Sequence, residues 1–380
     1  MTDKQKPSQY VLPHIHELDG VRGIAVLLVF FHHLCFASIH PAGWNALVMG
    51  LYGVFRYGMV GVDIFFVLSG FLITSLLIRD RQGRSYYQDF YWKRALRILP
   101  LYILCMLGVL LFIPSSKGYV LLSALFIANF ANVFHVTAVG PFWSLAIEEQ
   151  FYLIWPTVVR RRSVEQLGRW ALGIAIAVFI ARLAAAAIGH HNYFLSFLRC
   201  DGLAVGALIA CRYQEKQKND LRLIRDSIIC IAAVMAGVLF FAVGIKLSSF
   251  EVKTAYGAAL LQTGIVLICG GLIGLVIENS GHKLLSPLRS PLLTFFGLIS
   301  YALYMVQLYV LMAYDHFRGP LTPGDIKGYF MRILIVLALT IGVSLLSRYL
   351  VELPALGLRK RVLRHPTESV FHEPLYSHDH

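Results

Sequence analysis

Apolar stretches long enough to cross a lipid bilayer recur through this chain from Gly20 to Leu350, separated only by short polar breaks. A helix crosses the hydrocarbon layer with about 20 mostly apolar residues, and within that layer the backbone must satisfy its own hydrogen bonds. Such stretches therefore fold as helices. Composition agrees: 57% of residues are hydrophobic and 14% charged, where soluble domains carry about 25% charge. The expected fold is an all-α integral membrane protein of about ten transmembrane helices. The spans fall near 20–38, 59–78, 98–113, 142–159, 170–188, 197–211, 227–245, 256–277, 293–313 and 330–350. A cytoplasmic segment 1–19 precedes this membrane domain of residues 20–352, and a polar, partly disordered cytoplasmic tail 353–380 follows it.

The net charge of +13 raises nucleic acid as a partner, but the Lys and Arg residues punctuate apolar segments instead of gathering on one soluble face. Nucleic acid is excluded, and the pattern reads as positive-inside topology. With the N-terminus inside, the inner segments carry 23 Lys and Arg, and the outer ones carry only Arg56, Lys117, Lys246, Lys253, Arg318 and Lys327. Both termini are thus expected in the cytoplasm. The same parity leaves no room for a span at 119–134, which is short and holds Asn129 and Asn132, so it is expected to be interfacial or re-entrant on the outer side. The six cysteines show no paired spacing and read as packing thiols, and no metal framework is implied.

Ionisable groups inside spans are costly, so they mark function or a compensating partner. In ELDGVRGIAVLLVFFHHL, eleven residues separate Arg22 from His33, which brings them within about 20° on one helix face and roughly 16 Å apart along the axis. Asp19 lies one turn before Arg22 on nearly the same face, and His32 points about 80° away. In FYWKRALRILP, Arg94 and Arg97 share one side of a helix with Lys93 beside them, a geometry suited to phosphates. Anchoring at the membrane surface is the plainer role for such residues. In PFWSLAIEEQFYLIWP, Ser144, Glu148 and Tyr152 share a face, with Trp143 at its edge and Glu149 directed elsewhere. Glu148 either orients a base or forms a buried ion pair, with Arg182 or Arg199 as candidates. Asp63, in GVDIFFVLSGF, either caps its helix or meets a substrate hydroxyl, and Gly61 and Gly70 permit close helix approach. Arg199 and Asp201 are close enough in sequence to neutralise each other.

Together these segments resemble the membrane acyltransferase 3 family, which includes O-antigen and exopolysaccharide acetyltransferases. The match is collinear over essentially the whole chain. It runs through Arg22 and His33, the glycine-rich second span, Arg94-Ala95-Leu96-Arg97, and the element from Trp143 to Tyr152. It continues through RCDGLAVGALIA and GLISYALYMVQ to an ending with Tyr349, Glu352 and Pro354. Gln307 stands where the family often has histidine, and the chain reads as a version without a soluble esterase-like domain.

The resemblance implies transfer of an acyl group, most often acetyl, from cytoplasmic acetyl-CoA or another acyl-CoA to a hydroxyl of a cell-surface or lipid-linked glycan, at the cell inner (plasma) membrane. In that setting Arg94, Arg97 and Lys93 are expected to hold the CoA phosphates. His33 is the expected general base, oriented by Glu148 or Asp19, and Arg22 holds the donor or stabilises the oxyanion. Asp63, Ser144, Trp143, Tyr152, Arg199, Asp201 and Glu352 are expected to support substrate or structure. Direct transfer is favoured over an acyl-enzyme on His33 or Ser144, because neither shows a complete nucleophile and base arrangement. Two rivals are an acyltransferase with a non-glycan acceptor and a transporter or flippase, which would show inverted repeats that this sequence lacks.

Overall fold

The computed structural model describes residues 14–36, 50, 53, 55–190, 194–216, 223–248, 254–319 and 325–362. Lys4, Lys6, Lys218, Arg222, Lys253 and the tail from Arg364 lie outside the described residues. Among the described residues the chain is helical and contains no strand. The first half holds α1 (His16–Phe36), α2 (Val60–Asp80), α3 (Tyr86–Phe112), the short α4 (Lys117–Ala124), α5 (Phe142–Arg161) and α6 (Val164–Ala187). The second half holds α7 (Asp201–Lys216), α8 (Leu223–Ser248), α9 (Thr254–Glu278), α10 (Pro291–Leu298), α11 (Ser300–Arg318), α12 (Ile326–Ser347), a π-helical turn (Arg348–Glu352) and α13 (Leu353–Val362).

Among the described residues, seven helical runs are long and apolar enough to cross a membrane: α1, α2, α3, α6, α8, α9 and the run from Lys327 to Leu358. An eighth appears if α10 and α11, bent by 73° across Ile299, count as one broken span. Two of the ten expected spans meet the requirement less simply. The helix α5 has 20 residues but carries Glu148, Glu149 and Gln150 at its middle, and α7 has 16 residues, about 24 Å of rise. The third span starts earlier than expected, at Tyr86, so Lys93, Arg94 and Arg97 sit within the helix.

The stretch 119–134 forms no continuous helix. It contains most of α4, only eight residues and about 12 Å long, followed by a single 3₁₀ turn at Ala128–Phe130. Gln150 of α5 pins it by donating to Phe126 O at 2.7 Å and Asn129 Oδ1 at 2.9 Å. Tyr102 fastens its other end by donating to Ser123 O at 2.8 Å.

Glycines let the central helices touch backbone to backbone, the device available where lipid tails supply no hydrophobic drive. Gly61 lies against the Ala25 carbonyl, Gly70 against Leu203, and Gly206 against Val67. Gly20 and Gly23 of α1 face the backbones of Leu288 and Leu293, and Gly297 faces Asp19. A methyl group at Gly70 would overlap the Leu203 backbone, whereas Gly108 has open space. Gly70→Ala is therefore expected to cost about 1–3 kcal/mol, with Gly108→Ala neutral, as read from thermal unfolding in mild detergent.

Candidate active site

The helix α1 fixes the long axis of the site. Near its start the guanidinium of Arg22 donates to Ser300 Oγ at 3.1 Å, at the first residue after the bend between α10 and α11. Arg97 of α3, Arg348 of the π-helical turn, Asp19 and Glu148 lie within electrostatic reach of Arg22. Tyr301 fastens the same corner to α3 by donating to Ile98 O at 2.7 Å.

Three turns farther along, His33 opens into a cavity of about 280 Å³. The walls come from Met59, the pinned segment at Asn129 and Asn132, Trp143 of α5, Phe194, and Tyr304 and Leu308 of α11. His33 Nδ1 is buried and has no hydrogen-bond partner. His32 turns away and lies 2.9 Å from Arg56 O, as helix geometry requires. Trp143 packs edge-on against Phe194, 4.8 Å between ring centres, and Phe66 backs it from α2. Ser144, in the first turn of α5, donates to Pro141 O at 3.1 Å and lies 2.6 Å from Tyr304 Oη.

The structure redraws the expected pairings. Neither Glu148 nor Asp19 reaches His33. Glu148 accepts from Ser69 Oγ at 3.1 Å and from Arg94 at 3.2 Å, and Asp19 pairs with His14 at 3.3 Å. Glu149, expected to face elsewhere, also binds Arg94, at 2.7 Å, and the guanidinium rests 3.7 Å from the centre of the Tyr152 ring. Arg94 is thus engaged by two carboxylates and an aromatic face. Of the expected pair, Arg94 is held against α5 by these contacts. Lys93 approaches Asp80 at 3.9 Å, and Ser347 donates to Glu352 at 3.5 Å.

Asp63 neither caps α2 nor faces the cavity, because Arg199 binds it at 2.9 and 3.1 Å and Gln262 donates to it at 2.8 Å. Arg199 and Asp201 do not neutralise each other. Asp201 begins α7 and pairs with Arg182 of α6 at 2.7 Å, whereas Arg199 ends the preceding 3₁₀ turn and points to α2. Arg182 is fully enclosed and also donates to Leu198 O at 2.8 Å and Thr263 Oγ1 at 3.1 Å. Each buried cation is met by a carboxylate, Arg199 by Asp63 and Arg182 by Asp201, and the two units draw together groups from α2, α6, α7 and α9.

Three groups escaped the sequence reading. Glu17 is buried and accepts from Ser280, Gly281 N and Arg289, which ties the start of α1 to the loop after α9. Arg332 of α12 is fully buried and binds Asp315 at 2.6 Å. Its place inside the run IKGYFMRILIVLALT was the available signal. Tyr304 carried no such signal, since its partner Ser144 is 160 residues away.

The profile of the acyltransferase domain family Acyl_transf_3 matches residues 15–349, nearly the whole described bundle. A Staphylococcus aureus (strain COL) protein provisionally named an O-acetyltransferase is 29% identical over 327 residues, 77% of this chain and 50% of the relative. The peptidoglycan O-acetyltransferase OatA of Listeria monocytogenes is 31% identical over 172 residues, 40% of this chain and 25% of its own. A Bacillus subtilis protein, YrhL, provisionally named a peptidoglycan O-acetyltransferase, is 29% identical over 239 residues, 55% of this chain and 35% of its own. The chain spans about half the length of the curated Staphylococcus aureus relatives it matches. No solved structure matches it. With a profile match that begins just before α1 and ends within the π-helical turn, the chain belongs to the Acyl_transf_3 family of acyltransferase domains.

Proposed function

We propose that this chain is a multi-pass membrane O-acyltransferase that moves an acyl group, most often acetyl, from cytoplasmic acyl-CoA to a hydroxyl of a cell-surface or lipid-linked glycan. The observation that carries this reading is the geometry of α1, with Arg22 among the cationic groups at one level and His33 in a cavity roughly 16 Å away on the same face. That separation suits a polyanionic head held by arginine and a thioester carried on an extended arm. The names of the Listeria and Bacillus relatives favour a peptidoglycan sugar as acceptor. The topology that goes with this reading has ten crossings: the seven long runs, the bent α10 and α11 pair, α5 and α7, with both termini in the cytoplasm of a cell whose inner membrane holds the protein.

The chemistry is a single displacement. The acceptor oxygen attacks the thioester carbonyl while His33 takes the hydroxyl proton. The C–S bond breaks as the C–O bond forms, and the imidazolium returns its proton to the CoA thiolate. Arg22 holds the donor or its developing oxyanion, and Arg97 with Lys93 meets the phosphates. Arg94 acts indirectly, by fixing Glu148, Glu149 and Tyr152 on α5 beside the arm.

Membranes containing the protein are expected to transfer label from acetyl-CoA to surface glycan, and membranes from a strain lacking it are not. Absence of any label transfer by expressed, folded protein sinks the reading. Arg97→Ala is expected to raise the KM for acetyl-CoA about 10- to 100-fold, the worth of a charged hydrogen bond to phosphate, with a smaller change in kcat. An unchanged KM returns Arg97 to surface anchoring.

A further inference from the structure

The run His-Ile-His-Glu-Leu-Asp that leads into α1, residues 14–19, is anchored from one side. Ile15, Glu17 and Leu18 are buried, and the Glu17 carboxylate accepts from Ser280 Oγ at 3.0 Å, Gly281 N at 2.8 Å and Arg289 at 2.9 Å. Gly20 then seats the first turn on the Leu288 backbone. The residues between these anchors turn the other way: His14 and His16 are exposed and Asp19 is half-buried. Their polar atoms converge. His14 Nδ1 lies 3.1 Å from His16 Nδ1, and His14 Nε2 lies 3.3 Å from Asp19 Oδ2. One nitrogen from each ring and one carboxylate oxygen fall within 4.8 Å of one another. Two nitrogens bound to one tetrahedral zinc ion stand about 3.3 Å apart, so the histidine pair already has the spacing of ligands, and rotation of an accessible carboxylate brings in the third.

We propose that His14, His16 and Asp19 form a binding site for a divalent transition-metal ion of the zinc class, with solvent completing its coordination. Two imidazoles and one carboxylate are a donor set for such ions, whereas calcium and magnesium take oxygen ligands alone. Glu17 is not a ligand, since its carboxylate is committed to three donors. Its part is to hold the backbone from inside, so that an arriving ion immobilises only three side chains and meets a site whose ordering is already complete. The ion joins residue 14, ahead of α1, to the first full turn of that helix, and so clasps the entry of α1 on the face opposite the Glu17 anchor. No step of acyl transfer runs through it.

The test uses the purified full chain in mild detergent and zinc ion alone as the probe. His372, His378 and His380 near the C-terminus offer imidazoles of their own, so all three are first changed to asparagine and this full-length protein serves as the parent. The parent is expected to bind one zinc ion per chain with a Kd of about 1–10 μM by titration calorimetry, and its thermal midpoint is expected to rise as zinc is added. His14→Asn with His16→Asn is expected to weaken binding about 100-fold or more and to abolish the rise in midpoint. Asp19→Asn, which keeps an oxygen but loses the charge, is expected to weaken it about 10-fold. These side chains reach solvent, so midpoints without zinc should stay near that of the parent, which separates lost binding from lost folding. No saturable zinc binding by the parent, or binding by the His14, His16 double variant as tight as the parent's, overturns the proposal and leaves a hydrogen bond between two histidine rings. Acyl transfer is not the readout, so such a result leaves the proposed function standing.

Discussion

Replacing His33 by alanine is expected to lower acyl transfer by about 100- to 10,000-fold, the usual contribution of a positioned general base. The protein should still fold. His33 Nδ1 has no hydrogen-bond partner and the ring borders a cavity, so its removal strands no buried donor or acceptor elsewhere. His33→Gln is the sharper variant, because it keeps a polar side chain of similar reach but cannot take a proton at neutral pH, and it is expected to be as slow as alanine. The measurement is the initial rate of label transfer from acetyl-CoA at matched amounts of folded protein. A His33→Gln protein within a few-fold of wild type removes the base from the mechanism and leaves His33 as a packing residue.

The largest expected loss of stability lies away from the cavity, at Arg182. Its guanidinium is wholly enclosed, and Asp201 is the carboxylate that pairs with it. Asp201→Leu leaves an uncompensated charge in the interior and is expected to cost about 3–5 kcal/mol, whereas Arg182→Met with Asp201→Leu removes both charges and is expected to recover most of the loss. Thermal midpoints of the purified protein in mild detergent, compared across the two single variants and the double, provide the measurement. An Asp201→Leu midpoint equal to wild type would mean that Arg182 finds equivalent compensation from Leu198 O and Thr263 alone. The same logic applies to Asp63 and Arg199, where Gln262 adds a third partner.

What the sequence could reveal follows the distance over which each interaction is encoded. The turn of His32 away from Arg22 and the lack of one continuous helix over 119–134 depend on spacing within one segment, and the structure shows both. Partner choice among buried charges depends on which helices meet. Arg199 lies two residues from Asp201 yet binds Asp63, and Glu148 binds Arg94 in place of either candidate arginine. Glu149 was misplaced for a related reason: helix angles say which way a side chain leaves the backbone, but a long carboxylate and a long guanidinium can still meet around the curve of α5. The expected count of about ten spans turns on the same level, because α5 and α7 lie outside the runs that are long and apolar enough to cross alone. Polar residues on α5 that would bar a lone helix from lipid are compensated by α2 and α3, through Ser69 and Arg94.

The backbone contacts that glycine permits along α1 have one more consequence. Gly20 and Gly23 seat this helix directly on the backbones of Leu288 and Leu293, with no flexible side chain between them to absorb a shift. The helix that carries Arg22 and His33 is therefore held like a gauge of fixed length, and the separation between its two marks is set by helical rise alone. On the proposed reading, a thioester donor whose arm is too short is expected to fail to reach Arg22 and His33 together, which would make carrier length, as well as the acyl group itself, a ground for discrimination.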